Sequence, residues 1–368
     1  LSDSVWKMDN LYLEMEKDKY FEPIIIICPW VNLGKEKMEY EMNKTEKFFK
    51  EKGYNYLKTI KENREYLDIE QEIKPDIIFY TNPYRGLIDD RYYITNMKRS
   101  LCCYIPYFFD CTSLYVMCYD LLFHNLLWRF FVPTEKHLKY LKKHSRVRGE
   151  NAIVQRYGIL EEFYSFRYEI ERNKSKKWII WAPHHTISKY NADLEWSTFE
   201  KYYSFMLKIS EKYKNEVKMI FKPHPMLYSR LVEIWGKEKV DSYYNQWLGV
   251  SYRGIELGDY TELFYKSDAL IHDSGSFTIE YLYFRKPVCR LVNKKNFEKT
   301  LTSFDKEAWN CHELAYSEED ISDFIKNVIN NQDKKVYEKI EFYNKYLEIN
   351  ENNKPSKNII NEIKKYFE

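Results

Sequence analysis

Short apolar runs alternate with helical patterns along most of this chain, and that alternation limits what it can fold into. "FEPIIIICPW" at 21–30 is a β-branched run ended by proline, and a charged helical pattern follows at about 35–52. "KPDIIFY" at 74–80 and "SLCCYIPYF" at 100–108 read as strands. "RFFVPTEKHLKYLKKH" reads as a strand and then a helix capped near Thr134, and "NAIVQRYG" at 151–158 is a further strand. The pattern then restarts. Strands are expected at 176–182, 217–222, 268–272 and 286–292, with a helix at about 196–213 and helices over most of 317–367. Strands that alternate with helices form parallel sheets covered on both faces.

The chain has 368 residues, more than one core usually organises. The fold class expected is α/β, with two Rossmann-like domains and C-terminal helices. The polar stretch "EIERNKSKK" at 169–177 fits a linker. The expected domains are therefore 1–168 and 169–368.

Charge is nearly balanced, with 58 basic and 56 acidic residues, which argues against a nucleic-acid binder. The seven cysteines lack C-x-x-C pairing, and Cys28 and Cys289 lie in apolar runs, as in a reduced cytoplasmic protein. No signal-peptide pattern is visible, and no apolar stretch reaches the ~18 residues of a membrane span. The 35 tyrosines fit either an AT-rich coding sequence or a sugar- or membrane-facing surface. Residues 101–131 are strongly apolar and aromatic. They read as a core strand plus buried helix, or as a loop that dips into a membrane interface or grips a lipid-linked acceptor. "KHLKYLKKHSRVR" at 136–148 is a solvated helix face or a patch attracted to anionic lipid or an anionic acceptor.

In doubly wound sheets, ligands bind beyond the carboxyl ends of the strands. In the second half those ends carry His184 and His185, then Lys222 and His224, then His272, Asp273, Ser274, Gly275 and Ser276. If the strands are neighbours, all of these converge. Gly275 suits a close backbone approach, and Ser276 is expected to cap the helix that follows. Turn amides and a helix start together favour a phosphate or diphosphate. His224, between two prolines, is a preset donor or proton carrier. Glu280 lies one turn beyond Ser276 and could accept hydrogen bonds from ribose hydroxyls.

The order "WAP" at 181–183, "KPHP" at 222–225 and "YTELFYKSDALIHDSGSFTIEYLYFRKPV" at 260–288 resembles the CDP-glycerol glycerophosphotransferase family of teichoic-acid primases and polymerases. Those enzymes are similar to two-domain GT-B glycosyltransferases. The resemblance implies transfer of glycerol phosphate, or a related alditol phosphate, from a CDP-activated donor with release of CMP. It also implies a glycopolymer or lipid-linked saccharide acceptor at the inner face of the cytoplasmic membrane. It assigns His224 to the donor phosphates, Asp273, Ser274 and Ser276 to the family's aspartate–serine loop, Thr261 to the nucleotide, and Glu280 to the place of a usual aspartate. Many family members carry an HGTP histidine in the first domain as general base. The comparable stretch here, "CYIPYFFD", has none. Asp110, His184 and His185 are the candidate substitutes.

The donor is the substrate; no cofactor, metal or nucleic acid is expected. Other readings keep some of the same residues. A GT-B glycosyltransferase of capsule or lipopolysaccharide synthesis would use a CMP- or UDP-sugar. A metal-dependent hydrolase would use His184, His185, His224, His272 and Asp273 as ligands. A catalytically inactive binding protein is the remaining alternative.

Overall fold

The computed structural model describes residues 5–61, 64–110, 113–166, 174–187, 196–293 and 301–367. Much of the linker expected at 169–177 lies outside them. The chain forms two compact units. The first comprises Leu1–Phe108, Leu114–Glu161 and Ile349–Glu368; the second comprises Phe109–Ser113 and Glu162–Glu348.

In the first unit, β1 (Ile25–Ile27) pairs in parallel with β2 (Tyr56–Lys58). β3 (Ile77–Tyr80), β4 (Leu101–Tyr104), β5 (Arg129–Val132) and β6 (Ala152–Val154) form a parallel sheet in sequence order. The 35–52 helix forms as expected and stops at Gly53, whose left-handed φ of 71° suits glycine. Thr134 caps the helix Glu135–His144 by accepting from Lys136 N and His137 N.

The second unit holds β7 (Lys177–Ala182), β8 (Val217–Phe221), β9 (Arg253–Ile255), β10 (Ala269–His272), β11 (Val288–Leu291) and β12 (Glu313–Ala315). All are parallel, in the order β12-β11-β10-β7-β8-β9. The central strands are buried on both faces, which is why they read as continuous apolar runs. Trp181 stacks on Phe199 and Phe221, and Trp247 stacks on Phe221. These rings fill the space between β7, β8 and the helix Phe199–Lys212.

The units differ from the expected domains at three places, the first being the boundary, because the second unit takes up the chain from Glu162 and not from 169. The C-terminal helix Pro355–Phe367 belongs to the first unit, because Ile359, Ile360 and Ile363 bury against Met8, Leu11, Met15 and Cys103. Ser356 secures its first turn, donating from N and Oγ to the buried Glu161 carboxylate at 3.1 and 2.8 Å. Asp110 falls in the second unit, next to Phe109, whose ring stacks on Phe304.

Candidate functional site

The register of the second sheet brings the predicted residues to one edge. His272 pairs with Ala182 on one side and Arg290 on the other, and Trp181 pairs with Phe221. The loops after β7, β8 and β10 therefore leave the sheet side by side. Lys222 N–H donates to Trp181 O at 2.8 Å, and His224 N–H to Pro183 O at 3.1 Å. The proline-flanked histidine is thus tied to the loop carrying His184 and His185.

Three imidazoles meet there. His184, His185 and His224 each offer a nitrogen, and these nitrogens lie within 4.8 Å of one another. The His185 ring stacks on His224 at 4.1 Å and 17°. His184 Nδ1 is 3.3 Å from His185 Nδ1. Their surroundings disfavour the charged form of all three. Burial pushes His224 down to about 4, and Lys222 and Arg230 add to the effect. Burial also lowers His184 and His185, followed by the charge of His224. A patch whose surroundings repel added positive charge suits an anion that would supply the missing negative charge.

The serine–glycine turn after β10 is built differently from the expectation. Ser276 does not cap a helix: it has helical φ and ψ (−61°, −31°), and its side chain makes no cap bond. The helix it starts, Phe277–Glu280, is only four residues long, so a helix dipole contributes little to an anion site here. The turn is held by Thr278 Oγ1, which donates to Ser274 O at 3.0 Å, and by Arg290, which donates to Ser274 O at 2.7 Å and to Thr278 Oγ1. The guanidinium carbon of Arg290 lies over the Trp309 ring, 4.1 Å from its centre. Gly275 is needed for close packing: a Cβ there would sit 3.1 Å from the Trp196 ring. Ser274, Gly275 and Ser276 remain half-buried at the surface of this turn.

Two expected ligand-binding residues act from behind. His272 is wholly buried, and its ring lies 5.3 Å from that of His312. Asp273 is also wholly buried. It accepts from His184 N at 2.5 Å, Thr198 N at 2.5 Å and Thr198 Oγ1 at 2.7 Å. It is the strut between the loops and not part of their lining. Thr261 points its hydroxyl at Asp259 (2.8 Å), and Glu280 is buried and accepts from Tyr260 OH at 2.6 Å. Asp110 is not part of the histidine group.

Sequence reasoning missed Trp196, Arg230, Arg290 and Tyr260. Trp196 packs against both Gly275 and the His184 ring (5.4 Å), and Arg230 Nη1 donates to His185 O at 3.0 Å. One signal was available: Arg290 is the only charge inside "VCRLV", a run that otherwise reads as a buried strand.

The model of the family described as CDP-Glycerol:Poly(glycerophosphate) glycerophosphotransferase matches residues 161–365. No curated protein matches the chain. Among solved structures, the MnaA–UDP co-structure from S. aureus aligns with a TM-score of 0.60 at 16% identity, over 99% of this chain and 94% of that one. UDP-GlcNAc 2-epimerase from Neisseria meningitidis bound to UDP-GlcNAc gives 0.57 at 15% identity, over 99% and 97%. The wall teichoic acid polymerase TagF with CDPG gives 0.54 at 12% identity, over 99% and 94%. At such identities these likenesses show a shared two-domain GT-B-type fold and nothing finer.

Proposed function

Because the chain belongs to the CDP-glycerol:poly(glycerophosphate) glycerophosphotransferase family, and so is a transferase that moves glycerol phosphate from a CDP-activated donor and releases CMP, we propose that the donor binds at the β7–β8–β10 edge of the second unit. The observation that carries this reading is the convergence of three imidazoles, Lys222 and the Ser274–Ser276 turn on one sheet edge. The charges of Lys222, Arg230 and Arg290 act on this edge, and a diphosphate would complement them.

In the reaction, an acceptor hydroxyl attacks the β-phosphorus. A new P–O bond forms, the bridging P–O bond to the α-phosphate breaks, and CMP departs. The hydroxyl proton passes to a base, for which His184 and His185 are the candidates nearest the phosphates. His224 Nδ1 accepts Met226 N–H at 3.1 Å, so its proton sits on Nε2 as a donor to a phosphate oxygen. Positioned donors of this kind stabilise the charge that develops during phosphoryl transfer. Glu280, with Tyr260 against it, is the group proposed to receive the ribose hydroxyls. The acceptor proposed is a glycopolymer or lipid-linked saccharide.

Titration of the full chain with CMP, CDP-glycerol, UDP and GDP tests the site. Tighter binding of the cytidine ligands is expected, with Glu280→Gln weakening CMP by about tenfold, the loss of one or two hydrogen bonds. Preference for UDP would instead favour a sugar nucleotide donor.

Among the described residues no helix is long and apolar enough to cross a membrane. We propose a peripheral contact. The short helices Tyr115–Tyr119 and Leu122–Leu126 bury Tyr119 and Phe123 but leave Val116, Met117, Leu122 and Leu126 exposed. The basic helix Glu135–His144 lies against them, with the Tyr115 ring 3.8 Å from His144, and its Lys139, Lys142 and Lys143 are exposed. Apolar side chains beside exposed lysines suit an anionic lipid surface. Cosedimentation with phosphatidylglycerol vesicles is expected, and the double change Leu122→Asp, Leu126→Asp should reduce it by about tenfold or more. Equal binding to neutral phosphatidylcholine vesicles, or no effect of the change, would remove this surface.

A further inference from the structure

The serine–glycine turn after β10 has three carbonyls, and they are held in two ways. Gly275 O accepts from Thr278 N at 3.0 Å, and Ser276 O accepts from Ile279 N at 2.9 Å and Glu280 N at 3.0 Å. The backbone of the short helix that follows therefore fixes these two. Ser274 O is fixed by side chains: Arg290 Nη1 donates to it at 2.7 Å and Thr278 Oγ1 at 3.0 Å. Arg290 Nη1 also donates to Thr278 Oγ1, so one guanidinium grips both oxygens. That guanidinium reaches the turn from inside, because Arg290 is buried at 4% exposure and pairs with His272 in the sheet. The Ser274–Gly275 peptide is trans, so its N–H points opposite to its C=O. With Ser274 O drawn inward, the Gly275 N–H is turned toward the half-buried surface of the turn.

We propose that Arg290 is a positioning residue for the transfer: it sets the sense of the Ser274–Gly275 peptide so that the N–H, and not the carbonyl oxygen, meets a phosphate of the donor. The proposal rests on the donor-site reading above. Glycine is what makes the clamp necessary. Turning a peptide over changes ψ of the residue before it and φ of the residue after it, and glycine accepts either sign of φ at little steric cost. Without its clamp, this peptide has two orientations open to it. In one, an N–H dipole faces the phosphates. In the other, a carbonyl oxygen faces them and repels their charge. Arg290 excludes the second orientation from behind the turn, so the donor N–H is in place before the phosphate arrives and costs no rearrangement during the reaction. Thr278 assists by passing the grip of the same guanidinium on to Ser274 O.

The peptide can be observed by itself. Gly275 is the only one of the 10 glycines that follows a serine, so carbonyl-labelled serine combined with nitrogen-labelled glycine leaves one amide signal in the full chain, that of Ser274–Gly275. This signal is expected to move downfield on saturation with CDP, as an amide does when it donates to phosphate, and to stay in place with cytidine, which has no phosphate. Arg290→Met keeps a long side chain over Trp309 and removes the donor. It should bind CDP about tenfold more weakly and cytidine within about twofold of wild type, with the signal no longer moving at saturation. Arg290→Lys should recover part of the affinity and part of the shift. A wild-type signal that stays in place with CDP bound overturns the proposal and leaves the donor site standing, and this measurement needs no variant to fold. A folded Arg290→Met that keeps the full shift at saturation also overturns it, because Arg290 would then act through its charge alone. Equal losses of CDP and cytidine affinity would make the role structural and end the proposal. No CDP binding by the wild type overturns the donor site and the proposal together.

Discussion

His224→Ala is expected to lower turnover by about 10²–10³-fold, the usual cost of losing one positioned donor to developing charge. CDP affinity should fall much less, because the Lys222 ammonium and the Ser274–Ser276 turn remain. The fold should survive. His224 is only half-buried, and its backbone bonds to Pro183 O and from Leu227 N do not depend on the ring. Its imidazole stacks on His185, so removing it leaves a gap at the surface of the site and no cavity in the core. The comparison to make is kcat against KM for donor, with the melting temperature as a control. A loss confined to KM would mean that the ring binds the ground state and transition state equally. Unchanged kinetics would remove His224 from the site. Glutamine is the informative second variant: its amide can donate where Nε2 does, so partial recovery relative to alanine would mark hydrogen-bond donation as the role.

The strand ends were readable because parallel strands buried on both faces leave continuous apolar runs, and the first polar residue after each run marks the sheet edge. His184, Lys222 and Asp273 were found in that way, and the sheet order makes β8, β7 and β10 neighbours. The short strands β2, β9 and β12 were missed. Each has three residues, and none of them carries the long apolar run of a central strand. The destination of the C-terminal helix was also hidden. Its stripe of Ile359, Ile360 and Ile363 shows that one face is buried but not which unit buries it. Side-chain roles within the loops were the least legible. Composition cannot distinguish a serine that caps a helix from one that does not, as Ser276 shows, or an aspartate facing ligand from one facing the backbone, as Asp273 shows.

Asp273 carries the largest expected effect on stability. Its carboxylate satisfies two backbone N–H groups and one hydroxyl that reach it from two separate segments, at His184 and at Thr198. Burial raises its pKa, and those donors together with Arg290 work in the opposite direction, toward the charged form. Removing the acceptor leaves its donors buried without partners, at about 1–3 kcal/mol for each unsatisfied group. Asp273→Ala should therefore cost about 3–5 kcal/mol, the range for breaking a buried charge network. In calorimetry the second unit should melt roughly 10 °C lower. Asn is not a conservative repair. It offers one oxygen, and its NH₂ group must then face a backbone N–H, so Asp273→Asn should recover less than half of the loss. The loop after β7 also loses its anchor, so His184 and His185 should drift from His224 and CDP binding should weaken even where the protein is folded. If Asp273→Ala melts within about 2 °C of wild type, the strut is not holding these loops. Retained CDP affinity in that variant would show in addition that the histidine cluster does not depend on it. The two readouts separate a residue that supports the site from one that touches the ligand: a ligand-contacting aspartate would lose affinity while leaving the melting temperature in place.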